Sequence, residues 1–212
     1  LDSAKTKRAG EVARIIGESY YRTGRYKESI PYFERHRDAG TGMSRSDVYE
    51  LGYAYYKIEK YAEAISLFQD AVGGVTDTLS QNAWYHLADC YVKTGNKPLA
   101  RNAFGKASEM KFNRSMREDA LFSYSRLSYE LSYSPFNEAI IALQQYINEY
   151  PNSPRKDEAY GFLVNVYLST KNYKEALRSI EQIKSIGPAL QPAFQQVCFN
   201  RAVELYNNKD LD

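Results

Sequence analysis

The sequence predicts an all-α chain: a solenoid of antiparallel helix pairs, five of them complete and a sixth begun. Three observations carry this prediction. A helical pattern of apolar residue, small residue and tyrosine recurs, its small positions Gly17, Gly52, Ala88, Ser125, Val164 and Ala202 falling 35, 36, 37, 39 and 38 residues apart. Each of the five complete stretches is followed by a turn and a second stretch with a small residue four positions before a bulky one, so every unit reads as two helices. Glycine- or proline-bearing segments stand between units, where positive φ or a missing N–H ends a helix. One helix pair cannot bury its apolar face alone, so neighbours must stack.

Taken in order, the first copy is Ile16-Gly17-x-x-Tyr20 with Ser29-x-x-x-Phe33, and the second is Leu51-Gly52-x-x-Tyr55 with Ala64-x-x-x-Phe68. The third reads Trp84-x-x-Leu87-Ala88-x-x-Tyr91, a turn containing Gly95, then Ala100-x-x-x-Phe104. A more divergent fourth has Leu121, Tyr124, Ser125 and Ser128 on its first helix and Ala139-x-x-x-Leu143 on its second. The fifth carries Tyr160, Leu163-Val164-x-x-Tyr167, Ala176-x-x-x-Ile180 and a closing Pro188, and the sixth offers Cys198, Ala202, Leu205 and Tyr206 as a first helix only.

These residues resemble the tetratricopeptide repeat along the whole chain. The resemblance implies a right-handed superhelix forming one domain, 1–212, with repeats at 10–43, 45–78, 81–114, 118–153 and 157–190 and a partial one at 195–212. The spacing exceeds the repeat's period of about 34, which places extra residues in turns at 132–135, 39–42 and 72–75. Glycine inside a helix costs about 1 kcal/mol against alanine, so Gly17 and Gly52 imply a close approach of the partner helix. Ser44-x-x-Asp47 and Thr78-x-x-Gln81 read as capping boxes. Repeat arrays normally close with a polar helix, and the sequence shows none at either end, so a fragment of a longer protein is expected.

Composition narrows the function. With 28 Lys and Arg against 26 Asp and Glu the net charge is +2, and no like-charge run points to nucleic acid. No apolar stretch approaches the roughly 18 residues that cross a bilayer, and Leu1 opens no signal sequence. Cys90 and Cys198 lie in different repeats, where no disulfide is expected. His86, Asp89 and Cys90 form the one cluster worth testing for metal, yet zinc wants three or four such ligands and no second His/Cys pair exists, so a packed helix face is expected. Gly40-Thr41-Gly42 lacks the Lys-Ser/Thr of a phosphate loop, and His36 has no triad partner in the sequence. Glu63 and Glu175 read as first-turn acids favoured by the helix dipole. The expectation is a non-enzymatic chain with no cofactor, no metal and no small-molecule substrate.

The resemblance further implies that first-helix residues line a concave groove: Arg14, Glu18 and Tyr21; Tyr49, Tyr53 and Tyr56; Tyr85, Asp89 and Val92; Phe122, Arg126 and Tyr129; Gly161, Asn165 and Leu168. The middle units give an aromatic stripe at i, i+4, i+7. Family members that clamp a terminal carboxylate carry Lys and Asn at such places, where this chain has Tyr49/Tyr53 and Tyr85/Asp89. Tyrosine offers a large contact area at low entropic cost, so the expected partner is a peptide or protein; the competing expectation is that some of these rings pack between repeats. The segment 148–154, Asn-Glu-Tyr-Pro-Asn-Ser-Pro, followed by Asp157-Glu158-Ala159-Tyr160, is similar to the junction of bacterial cell-envelope tetratricopeptide proteins of the outer-membrane assembly lipoprotein and Tol-Pal coordinator type. It implies a periplasmic or outer-membrane-associated protein of a Gram-negative bacterium, with a cytoplasmic setting as the alternative. A repeat region accessory to a catalytic or sensor domain elsewhere is the second functional expectation.

Overall fold

The computed structural model describes residues 2–40, 42–131, 137–188 and 190–208. Among the described residues there are eleven α-helices and no strands. The chain divides into two units, Leu1–Ala120 and Leu121–Asp212. The first holds α1 (Asp2–Arg22), α2 (Tyr26–Asp38), α3 (Arg45–Lys57), α4 (Tyr61–Val72), α5 (Thr78–Lys93), α6 (Lys97–Glu109) and the start of α7 (Arg114–Glu130). The second holds the rest of α7, then α8 (Asn137–Glu149), α9 (Lys156–Ser169), α10 (Tyr173–Glu181) and α11 (Gln191–Asn208). Each predicted repeat is one helix pair, and α11 is the lone first helix of the sixth. The expected turn insertion at 132–135 lies outside the described residues.

Within the first unit, α1 packs on α2, α3 on α4 and α5 on α6, and successive first helices also touch. The small residues do what their packing requires. A Cβ on Gly17 would lie 3.3 Å from the Phe33 ring, and one on Gly52 would lie 3.1 Å from Leu67 Cβ and 3.2 Å from the Phe68 ring. Phe33 and Phe68 are completely buried beneath them. In the second unit the core gathers Leu121, Leu143, Tyr146, Leu163, Val164 and Ile180.

All four described turns within pairs close in the same way. Gly24, Glu59, Gly95 and Lys171 adopt φ of 75°, 63°, 78° and 58°. The next residue's N–H reaches back to the pattern tyrosine's carbonyl: Arg25 to Tyr20 at 2.9 Å, Lys60 to Tyr55 at 3.0 Å, Asn96 to Tyr91 at 2.8 Å and Asn172 to Tyr167 at 2.8 Å. With the N–H of the left-handed residue itself bonding three residues back, this is a Schellman closure. Two of the four turns therefore hold a side chain where glycine is preferred, a conformation that costs a non-glycine residue about 1–2 kcal/mol. Glu59→Gly and Lys171→Gly are each expected to raise the unfolding free energy in urea by about 0.5–1 kcal/mol, the relief exceeding the entropy glycine adds to the unfolded chain. A loss of stability in both would show that these side chains contribute more than their backbones cost.

Side chains tie the first repeat to the second, the second to the third, and the fourth to the fifth. The Tyr55 hydroxyl donates to Glu34 at 2.6 Å, the Gln69 amide to the Tyr91 hydroxyl at 2.8 Å, and the Gln144 amide to the Tyr167 hydroxyl at 3.0 Å. In every case the partner of the pattern tyrosine follows the bulky core residue of the preceding second helix. Helix ends are also satisfied by equivalent positions: Arg45 donates to the Ala71 carbonyl at 3.1 Å, and Gln81 to that of Ala107 at 3.3 Å.

Ser44 and Asp47 form the expected capping box, Ser44 Oγ accepting from the Asp47 N–H at 3.1 Å and Asp47 from the Ser44 N–H at 2.9 Å. The second expected box is not formed. Asp77 caps α5 instead, accepting from the Ser80 N–H at 2.7 Å, while Gln81 is fully buried and accepts from the Asn113 N–H at 2.7 Å. A carboxylate at the cap releases Gln81 for the junction, where the backbone groups of 107–113 need a partner. His36, unassigned by sequence, is 1% exposed with Nδ1 3.1 Å from the Gly10 carbonyl.

Candidate functional site

The first helices of the first unit carry a face rich in tyrosine, assembled by one recurring arrangement. Between α3 and α5, and again between α7 and α9, positions among those at i, i+4 and i+7 of one first helix receive a ring from the first helix of the next repeat, two residues before its small position. Between α3 and α5 that side chain is His86. Its ring lies 6.1 Å from Tyr49, 4.9 Å from Tyr53, 5.2 Å from Tyr56 and 5.8 Å from Phe68, centroid to centroid. In the second unit Phe162 takes the same place, 6.4 Å from Phe122 and 5.0 Å from Tyr129. Some of the stripe thus serves packing between repeats as well as lining a surface.

Burial pushes His86 down to about 4, against the pull of nearby Asp89, so the ring is neutral at physiological pH. Its Nδ1 is buried with no hydrogen-bond partner among the described residues. Cys90, four residues on, is buried in the core with its thiol pushed up to about 12, again by burial. The two side chains face different surroundings, and no group of three metal-ligating side chains occurs among the described residues.

Between α1 and α3, Tyr21, Tyr26 and Tyr53 form a triangle of edge-to-face rings with centroids 5.6, 5.9 and 5.7 Å apart. Tyr49 stacks on Tyr53 at 6.1 Å. Lys57 holds its ammonium 5.8 Å from the Tyr26 ring and 6.0 Å from Tyr53. All of these tyrosines remain partly exposed. Burial pushes the Tyr21 and Tyr49 phenols up, helped at Tyr21 by the charge of Glu50 and at Tyr49 by the neighbouring phenols of Tyr21 and Tyr53. Arg14 lies 3.2 Å from Glu11 and 3.4 Å from Glu18, and Arg22 lies 2.5 Å from Glu18.

Two phenols of the stripe are already committed. Tyr56 donates to Asp89 at 2.8 Å, and Tyr85 donates to Asp119 at 2.6 Å while its ring lies 5.7 Å from Phe104. Val92 is 37% exposed beside them.

In the second unit the expected groove residues divide. Phe122 is 3% exposed, packed on Tyr146 at 5.1 Å with the Arg155 guanidinium 4.4 Å over its ring. It belongs to the core, because the bulky residue at this position meets the ring of its own second helix, as Tyr49 meets Phe68 at 5.6 Å. Arg126 faces Glu130 at 3.7 Å, and its Nε is buried with no hydrogen-bond partner among the described residues. Tyr129, Gly161, Asn165 and Leu168 are partly exposed.

With this geometry in view, the helix pairs are built like tetratricopeptide repeats. A tetratricopeptide repeat family matches residues 119–153, and the family described as anaphase-promoting complex, cyclosome, subunit 3 matches residues 22–107. No curated protein sequence matches the chain. Among solved structures the chain is similar to MamA AMB-1 at 20% identity, with a TM-score of 0.63 over 82% of this chain and 88% of that one. It is similar to YrrB, described as a TPR protein with an unusual peptide-binding site, at 16% identity and TM-score 0.62 over 90% of each. A putative kinesin light chain of Podosopora anserina with nearly identical TPR-like repeats aligns at 18% identity and TM-score 0.53, over 94% of this chain and 97% of that one. At these identities the likeness establishes the fold.

Proposed function

We propose that this chain is a non-enzymatic scaffold that holds an extended peptide segment of a protein partner along the tyrosine face of α1, α3 and α5. One observation carries the reading: the hydroxyls of Tyr21, Tyr49 and Tyr53 make no hydrogen bond among the described residues, although their rings are partly buried. Buried or half-buried phenols ordinarily find a partner, and a ring with an apolar body and a free polar end suits an interface. The peptide-binding site ascribed to YrrB supports the same use of the fold. Among the described residues no helix is long and apolar enough to cross a membrane. The 148–154 junction supports a bacterial cell-envelope setting; there Tyr150 is core and the Ser153 and Tyr146 hydroxyls lie 2.6 Å apart.

The test uses peptides selected from a random display library against the intact chain. Tyr53→Ala is expected to weaken a selected peptide by about 2 kcal/mol, roughly 30-fold, as a central aromatic anchor. Helical content by circular dichroism is expected to stay as in the parent. Unchanged affinity would remove the tyrosine face as the binding surface.

A further inference from the structure

Resting on that reading, we infer that the α1–α3 end of the tyrosine face seats a basic side chain, Lys or Arg, of the bound peptide, with Glu50 as its counter-ion. Glu50 stands in α3 where His86 stands in α5 and Phe162 in α9, two residues before the small position. A carboxylate therefore occupies a slot that α5 and α9 fill with a ring. Around it lie Glu18 and Asp47, Arg14 and Arg22, and the phenols of Tyr21 and Tyr49.

The neighbouring carboxylates are engaged and Glu50 is not. Glu18 takes Arg22 and Arg14, Glu11 takes Arg14, and Asp47 closes the Ser44 capping box while lying 3.9 Å from Arg14. Glu50 makes no hydrogen bond or ion pair among the described residues. Four carboxylates thus face two guanidiniums, and the half-buried one has no cation. Burial, then Glu18 and Asp47, push Glu50 up to about 7 against the pull of Arg22 and Arg14, the signature of a charge lacking its partner.

An ammonium or guanidinium supplies the missing charge, and the rings around the slot accept cations on their faces, as Lys57 already does with Tyr26 and Tyr53. A bare metal ion fits poorly, since Glu18 and Asp47 commit their oxygens to arginine and to the helix cap. A peptide carries the charge on a flexible stem that can lie along the rings.

The random-peptide selection, read by position, tests this. Lys or Arg is expected at one position at about tenfold over the unselected library, next to an apolar position, tenfold being the yield of one charge-assisted bond. Glu50→Gln is expected to return that position to library frequency and leave the apolar preference in place, while Glu50→Asp retains the basic preference. Independently of any variant, acetylating the lysine of a selected peptide is expected to weaken it about tenfold against the intact chain. Selected peptides with no basic position, a basic position that survives Glu50→Gln, or an acetylated peptide that binds equally well would each overturn the seat while the scaffold reading stands. A selection that enriches no peptide overturns both.

Discussion

Phe68→Ala is expected to lower the free energy of unfolding by about 3–5 kcal/mol, the range for removing a large aromatic from a core that cannot refill. Phe68 is completely buried, and the atoms above it explain why the void would persist. Its ring lies 3.2 Å from where a Cβ on Gly52 would be, a position with no side chain to swing inward. Tyr49 at 5.6 Å and His86 at 5.8 Å are held by their own ring contacts. Three helices lose packing at once, since the ring belongs to α4, its ceiling to α3 and its stacked partner to α5. Urea denaturation followed by circular dichroism measures the loss, with Phe112→Ala, 51% exposed, expected within about 0.5 kcal/mol of the parent. A loss below about 1 kcal/mol at Phe68 would mean that the repeat register is wrong. Phe104, 5% exposed at the same position of the third repeat, is expected to behave alike.

What the sequence made legible follows from how local each feature is. Helix pairing, the small residues and the Ser44 cap depend on residues within one repeat, so their spacing announced them. The inter-repeat slot was illegible because its occupants, Glu50, His86 and Phe162, share a place and no chemistry. Glu59 and Lys171 gave no sign of their left-handed backbones, since nothing but the closure shared with Gly24 and Gly95 imposes them. Phe122 read as a groove aromatic because helical periodicity gives direction around one helix; it does not give the depth at which the second helix meets it. The tyrosine pins to Glu34, Gln69 and Gln144 had a findable signal, a polar residue following the bulky core position in α2, α4 and α8.

Stability against pH should expose the two unlike occupants of that slot, because their contributions oppose one another. His86 falls from an ordinary 6.5 to about 4 in the folded chain. The unfolded state therefore binds more protons between those values, and His86 makes stability rise with pH up to 6.5 and fall away as pH drops toward 4. Glu50 rises from 4.5 to about 7. Here the folded state binds more protons, so stability is greatest below 4.5 and declines as pH climbs toward 7. Each slope is at most about 1.4 kcal/mol per pH unit, and over the shared window they largely cancel. Asp77, held down to about 2 by Arg45, titrates below it. His86→Phe, which copies the ring that Phe162 places in the same slot, is expected to gain stability as pH falls from 7 to 4.5, relative to the parent. Glu50→Gln is expected to lose it over the same range and to exceed the parent's melting temperature at pH 7.5, where the parent carries an unpaired charge. Urea midpoints for the three proteins across that range decide the matter: parallel curves would show that neither group is held away from its ordinary titration. Divergent curves would mean that the carboxylate destabilises the free chain at the pH where it is charged, a cost that a cationic partner removes on binding.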